Sequence, residues 1–128
     1  VDILVELQNY IANALSLSPG TSIIRNEMPD SGTKCICITE PKEAGHVLPQ
    51  IDAEKHYIKI TARDALHDDA KELAKACYML LRTEDGVVSM PNLTVFVELQ
   101  GTPIWEKTDQ QNRKYYYFTL KAITKVLT

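Results

Sequence analysis

Cys35 and Cys37 stand two apart in an alternating run, so a strand would present both sulfurs on one side, where His46 or His56 could complete a metal site. Structural zinc sites are built instead from Cys-x-x-Cys or His-x-x-x-His hooks, and the spacing here favours two inert strand thiols. Pro29-Asp30 followed by Glu40-Pro41-Lys42 matches the loose P-D…E-x-K arrangement of magnesium-dependent nucleases, in which carboxylates hold the metal and the lysine positions water. That tripeptide belongs on a central strand, and Pro41 lacks the N–H such a strand needs. His46, His56 and His67 are scattered over loop, strand and helix start, with no nucleophile in a triad or elbow context. The five glycines are dispersed and form no phosphate-cradling loop. No catalytic residue, metal or cofactor is expected.

Arg113-Lys114-Tyr115-Tyr116-Tyr117-Phe118 combines basic and stacking groups, as surfaces for single-stranded nucleic acid do. Strand alternation turns Tyr116, Phe118, Leu120 and Ala122 toward a core and leaves only Tyr115 and Tyr117 on the other face. The whole chain is also slightly acidic, with 14 Lys and Arg against 17 Asp and Glu and a net charge of −3. A protein interface is the better use for those tyrosines, and no specific nucleic acid is expected.

The length of 128 residues, with 45% apolar and 24% charged residues, predicts a single domain over residues 1–128 and excludes disorder and low complexity. No apolar run approaches the roughly 18 residues that would cross a bilayer, and the N-terminus has no signal-like pattern, so a soluble, unexported chain without membrane contact is expected. Cys35, Cys37 and Cys77 are read as reduced cytosolic thiols.

These residues need elements to position them. Asp2 caps an amphipathic helix in which Ile3, Leu4, Leu7, Ile11 and Leu15 recur at helical spacing, ended by Ser18-Pro19-Gly20. Thr21 to Arg25 reads as a short strand, Met28 to Gly32 as a chain reversal, and Lys34 to Thr39 as a strand. Glu40 to Asp52 has no periodicity and is read as a functional or mobile loop. Glu54 to Arg63 forms a second long strand, with His56, Ile58, Ile60 and Ala62 on one face. Asp64 is placed to cap a helix from Ala65 to Leu81, whose stripe runs through Leu66, Ala70, Leu73, Cys77, Leu80 and Leu81. Asp85-Gly86 turns the chain out of it. A three-stranded meander follows, with strands at Leu93–Gln100, Ile104–Glu106 and Arg113 to about Val126, separated by turns at Gly101-Thr102-Pro103 and Asp109–Asn112.

This order predicts an α+β fold: a mainly antiparallel, mixed sheet with two helices packed on one face. The opposite face would carry Cys35, Cys37, Tyr57, Lys59, Arg63, Phe96, Glu98, Tyr115 and Tyr117. It is too polar for a second core and too aromatic for a plain solvent face, which suits contact with another subunit. On that face assignment Tyr57, Arg63, Trp105, Arg113, Tyr115 and Tyr117 are the candidate subunit or partner contacts.

The chain as a whole resembles the minor capsid or tail terminator (tail completion) proteins of long-tailed bacteriophages and prophages. The likeness rests on the N-terminal helix, the Arg25…Met28-Pro29-Asp30 turn, the Tyr57–Arg63 strand running into the Ala65–Leu81 helix, and the ending Gly101-Thr102-Pro103-Ile104-Trp105…Asp109…Arg113–Phe118. The resemblance implies a non-enzymatic virion protein, made in the host cytoplasm and lodged at the head-tail junction. It further implies a homo-oligomeric, hexameric ring that caps the head-proximal end of the tail tube and offers a surface to the head connector, with tail-tube protein and connector as partners.

Overall fold

The computed structural model describes residues 2–40, 46–48 and 53–125. The chain runs α1 (Ile3–Leu15), β1 (Ile23–Arg25), β2 (Cys35–Thr39), β3 (His46–Leu48), β4 (Ala53–Asp64), α2 (His67–Leu81), β5 (Val87–Met90), β6 (Leu93–Leu99), β7 (Ile104–Thr108) and β8 (Lys114–Lys125). The eight strands form one mixed sheet in the order β1-β2-β4-β8-β6-β5, with β3 added to β4 and β7 to β8. The expected α+β class holds.

Two long strands are the spine. Every residue of β4 pairs with β8, from Ala53 opposite Lys125 to Asp64 opposite Lys114. Their inward positions, Ile58, Ile60, Ala62, Phe118, Leu120 and Ala122, are all buried. α2 lies over this pair and buries Ala70, Leu73, Ala74, Cys77 and Leu81, while Tyr78 meets Phe118 edge-on at 5.6 Å. α1 packs on β1 and β2 and also reaches β5, so it bridges the first and last strands of the sheet. Two buried polar side chains of α1 fix that bridge: the Gln8 amide donates to the Ile23 carbonyl at 2.9 Å, and Glu6 accepts from the amide of exposed Asn92, in the β5–β6 turn, at 3.0 Å. Asp2 caps α1 by accepting from the Leu4 N–H.

Several expectations are corrected. The reversal expected at Met28–Gly32 makes no hairpin, because β1 and β2 pair in parallel. Parallel neighbours need a returning connection, usually a helix of a dozen or more residues. Here residues 26–34 make the return as a loop, and side chains hold it in place. The loop expected over Glu40–Asp52 contains β3, which pairs antiparallel with the start of β4; residues 41–45 and 49–52 lie outside the described residues. Asp64 belongs to β4, and its carboxylate accepts from the Ala65 N–H at 2.7 Å. α2 starts at His67, with Leu66 at the cap position and no side-chain cap bond. β5 is an additional strand, joined to β6 by the tight Pro91-Asn92 connection.

The meander is also different in kind. β6 pairs with Leu120–Thr124 of β8, and β7 pairs with Lys114–Tyr117 of the same strand. Since β4 occupies the other edge of β8 throughout, β6 and β7 lie end to end as one bent strand. Gly101-Thr102-Pro103 is the bend, and the Gln100 N–H still donates to the Thr119 carbonyl at 2.9 Å just before it. Pro103 has no N–H to give to a ladder, and Gly101 takes φ +100°, so both are placed where a strand is interrupted. A β-carbon on Gly101 would meet no atom within 4 Å, so strain alone sets its cost. Gly101→Ala is expected to destabilise the fold by about 1–2 kcal/mol, measured as a lower urea midpoint with unchanged slope.

Candidate functional site: the sheet face opposite the helices

Strand register brings Tyr57, Arg63, Tyr115 and Tyr117 onto the face away from α1 and α2. Cys35 stands opposite Arg63, Arg63 opposite Tyr115, and Tyr115 opposite Lys107. The row above contains Cys37, Thr61, Tyr117 and Ile104. Farther along lie Lys59 opposite Thr119, then Tyr57 opposite Lys121 and Lys121 opposite Glu98.

At one end this face is covered. Cys35, Cys37, Thr61, Arg63 and Tyr115 are all buried, because the returning loop of residues 26–34 lies across them. Arg63 donates from Nε to the Thr33 carbonyl at 2.9 Å, from Nη2 to the Ser31 carbonyl at 3.1 Å, and from Nη1 to the Pro29 carbonyl. Arg113 donates from Nη1 to the carbonyls of Asp30 at 2.6 Å and Gly32 at 2.8 Å. Consecutive carbonyls from Pro29 to Thr33 therefore alternate between the two guanidiniums. Arginine suits this role because its planar fork holds several donors in fixed directions.

Asp109 anchors the second arginine. Its carboxylate accepts from Arg113 Nε at 2.8 Å, from the Tyr115 hydroxyl at 2.9 Å, and from the backbone N–H groups of Gln111 and Arg113. Desolvation would push this carboxyl up. The hydrogen bonds from Arg113, Tyr115 and Gln111 outweigh it and hold the group well below the usual carboxylate range. Burial pushes the Tyr115 phenol up.

The rest of the face is open and carries ammonium groups over rings. Lys59 Nζ lies 4.5 Å from the Tyr117 ring centre, and Lys55 and Lys121 flank Tyr57 at 5.4 and 5.8 Å. Lys59 also pairs with Glu106 at 3.0 Å, and Phe96 is exposed. Trp105 stands apart from these residues. It projects to the helix side, 4.6 Å from the His67 ring and 5.5 Å from Tyr116, and is 42% exposed.

The six candidate contacts thus divide into three groups. Arg63, Arg113 and Tyr115 converge on the loop, with Arg63 fully buried. Tyr57 and Tyr117 share the open face, half-buried. Trp105 lies on the opposite side of the sheet. Residue typing alone passed over Asp109, which organises Arg113 and Tyr115, and Lys55 and Lys121, which flank Tyr57. The signal for the lysines was present in the period-two spacing; for Asp109 a turn residue gave none.

The nucleophile and ligand candidates are also placed. Burial pushes the Cys37 thiol up to about 11 and Cys77 up to about 12, and Cys35 is raised for the same reason; such thiols are poor nucleophiles and poor ligands near neutral pH. Glu40 engages His56 Nδ1 at 3.2 Å, and Glu54 engages its Nε2 at 3.2 Å. Lys42 lies outside the described residues. Among the described residues no three His, Cys, Asp or Glu side chains converge where they could hold a metal ion.

The architecture is that of a small assembly domain: a helical layer on one side, an aromatic and basic sheet face on the other, and interior arginines given over to shaping a loop. The sequence matches the family of bacteriophage tail terminator proteins over residues 10–126, and the chain belongs to that family. It is a structural tail-assembly protein of a phage-type virion. A chain from the virion of a native gene transfer agent particle has the same fold, with a TM-score of 0.65 and 10% sequence identity over 95% of this chain and 93% of that one. No curated protein matches the sequence.

Two measurements test the clamp. Arg63→Ala leaves three carbonyls without their donor and is expected to cost about 3–5 kcal/mol in urea unfolding. Arg63→Lys should recover less than half of that loss, since one ammonium cannot span the same acceptors. The Asp109 carboxyl titrates lower in the folded than in the unfolded chain, so its stabilisation is complete above the unfolded value of about 4 and fades as pH falls below it. Asp109→Asn should therefore flatten the acid limb of the stability profile, and an unchanged limb would contradict this assignment.

Proposed function

We propose that this chain is the repeating subunit of a ring that closes the head-proximal end of a phage tail tube and joins it to the head connector, assembled in the host cytoplasm. Family membership over nearly the whole chain carries this reading. The chemistry of the surface supports it. A ring needs distinct contact surfaces on each subunit as well as a top and a bottom, and this domain offers an open aromatic sheet face, a helical face and exposed strand ends.

In this reading Tyr57 and Tyr117 make direct contact through the open face, and Trp105 through the opposite side. Amphipathic rings of this kind bury area at low entropic cost and keep a polar edge. Arg63, Arg113 and Tyr115 contribute indirectly, by fixing the loop of residues 26–34 that borders the open face. The −3 net charge makes self-packing more compatible with the surface than a grip on DNA.

The test is co-assembly with the tail-tube protein of the same phage. The wild-type protein should form rings visible by electron microscopy and arrest tube growth, giving short tubes with a ring at one end. The Tyr57→Ala/Tyr117→Ala double variant should fold normally and lose at least tenfold in ring formation. A wild-type protein that stays monomeric and leaves tube length unchanged would refute the proposal.

A further inference from the structure

The two long edges of α2 carry opposite charge. On the edge facing the β6–β7 bend, Lys71, Lys75, Tyr78 and Arg82 recur at helical spacing. With exposed Met79 and with Thr102 and Pro103 they line a groove of about 430 Å³ that contains three cations and no carboxylate. On the edge facing α1, Asp69 and Glu72, joined by Asp64, line a groove of about 490 Å³. Its apolar floor includes Leu15 and Leu17, and Lys34 is its one cation. One groove is therefore three charges positive and the other two negative.

Lys71, Lys75 and Arg82 make no ion pair with the described residues, and neither do Asp69 and Glu72. Lys71, Lys75, Asp69 and Glu72 are all exposed. The linings of the two grooves are of opposite sign, each with apolar groups among its charges, and are complementary in charge. They lie on opposite edges of one helix, so a single copy cannot bring them together.

We infer that the basic edge of α2 in one copy docks into the acidic groove between α2 and α1 of the next copy. This rests on the ring reading above and adds to it the surfaces that join neighbours. The contact is heterologous: a subunit whose basic edge is engaged still offers its acidic edge, so the association continues until it closes. Met79 and Tyr78 meet the apolar floor formed by Leu15 and Leu17, while the charges fix register and exclude the reverse pairing, in which like charges would face each other. Lys34, at the margin of the acidic groove, limits how far the incoming cations can travel.

The experiment is a charge exchange read by sedimentation velocity. Lys71→Glu/Lys75→Glu makes both edges acidic, and Asp69→Lys/Glu72→Lys makes both basic; thermal melts followed by circular dichroism establish that each variant is folded, with Glu72→Lys alone as the milder alternative. The wild type should oligomerise, and its association should weaken roughly tenfold between about 50 mM and about 0.5 M NaCl. Each double variant alone should be at least tenfold weaker. An equimolar mixture of the two should recover the oligomer, because acidic and basic subunits can alternate.

Variants that assemble as well as the wild type would overturn the inference and leave the ring itself standing on other surfaces. Loss of assembly in both variants without recovery on mixing would also overturn it, since the edges would then not face each other. A wild type that remains monomeric on its own overturns this inference, and the ring reading falls with it only if the protein also stays monomeric in the presence of tail-tube protein.

Discussion

The fold depends on a pair of arginines doing what secondary structure usually does. Between β1 and β2 the chain must return along the sheet to start a parallel neighbour, and it does so without a crossover helix. Most residues of that return are exposed, but its carbonyls from Pro29 to Thr33 turn toward the buried ends of Arg63 and Arg113, where they need partners other than water. Arg63 and Arg113 supply them for the consecutive carbonyls from Pro29 to Thr33. One arginine comes from the end of β4 and the other from the residue before β8, so the clamp also ties the loop to the two strands that form the spine.

The same constraint explains the character of the face opposite the helices. Beneath the loop, Cys35, Cys37, Thr61 and Tyr115 are buried and make a small mixed interior. Beyond the loop the face opens onto Tyr57, Tyr117 and the lysines that lie over their rings. The two buried arginines therefore hold the covering loop in place, and the half-buried tyrosines lie on the part that it leaves open. The charge division along α2 lies on the other side of the sheet and meets the returning loop at Lys34.

Much of this was legible in the residues. Period-two alternation from His56 to Ala62 and from Tyr116 to Ala122 placed the core, and the helical stripes of α1 and α2 placed the layer above it. The assignment of Arg63, Tyr57, Tyr115 and Tyr117 to one face followed from the same alternation. What was not legible is long-range. A guanidinium that bonds carbonyls some 30 residues away leaves no local pattern, so Arg63 reads from sequence as a surface cation. A parallel β1–β2 pair without a helix between them reads as a turn, and Gly101-Thr102-Pro103 reads as a turn when it is a bend in a continuing strand. In each case local residue preferences were right about irregularity and silent about direction.

The family makes the chain a structural tail-assembly protein of a phage-type virion, and the proposed role is that of a self-associating subunit at one end of the tube. Cryo-electron microscopy of purified particles tests that claim most directly. The expected result is a closed ring of copies of this chain at the head-proximal end of the tail tube, with α2 of each copy against α2 and α1 of its neighbour. Particles that complete their tails without this chain at that junction, or that carry it there as isolated monomers, would contradict it.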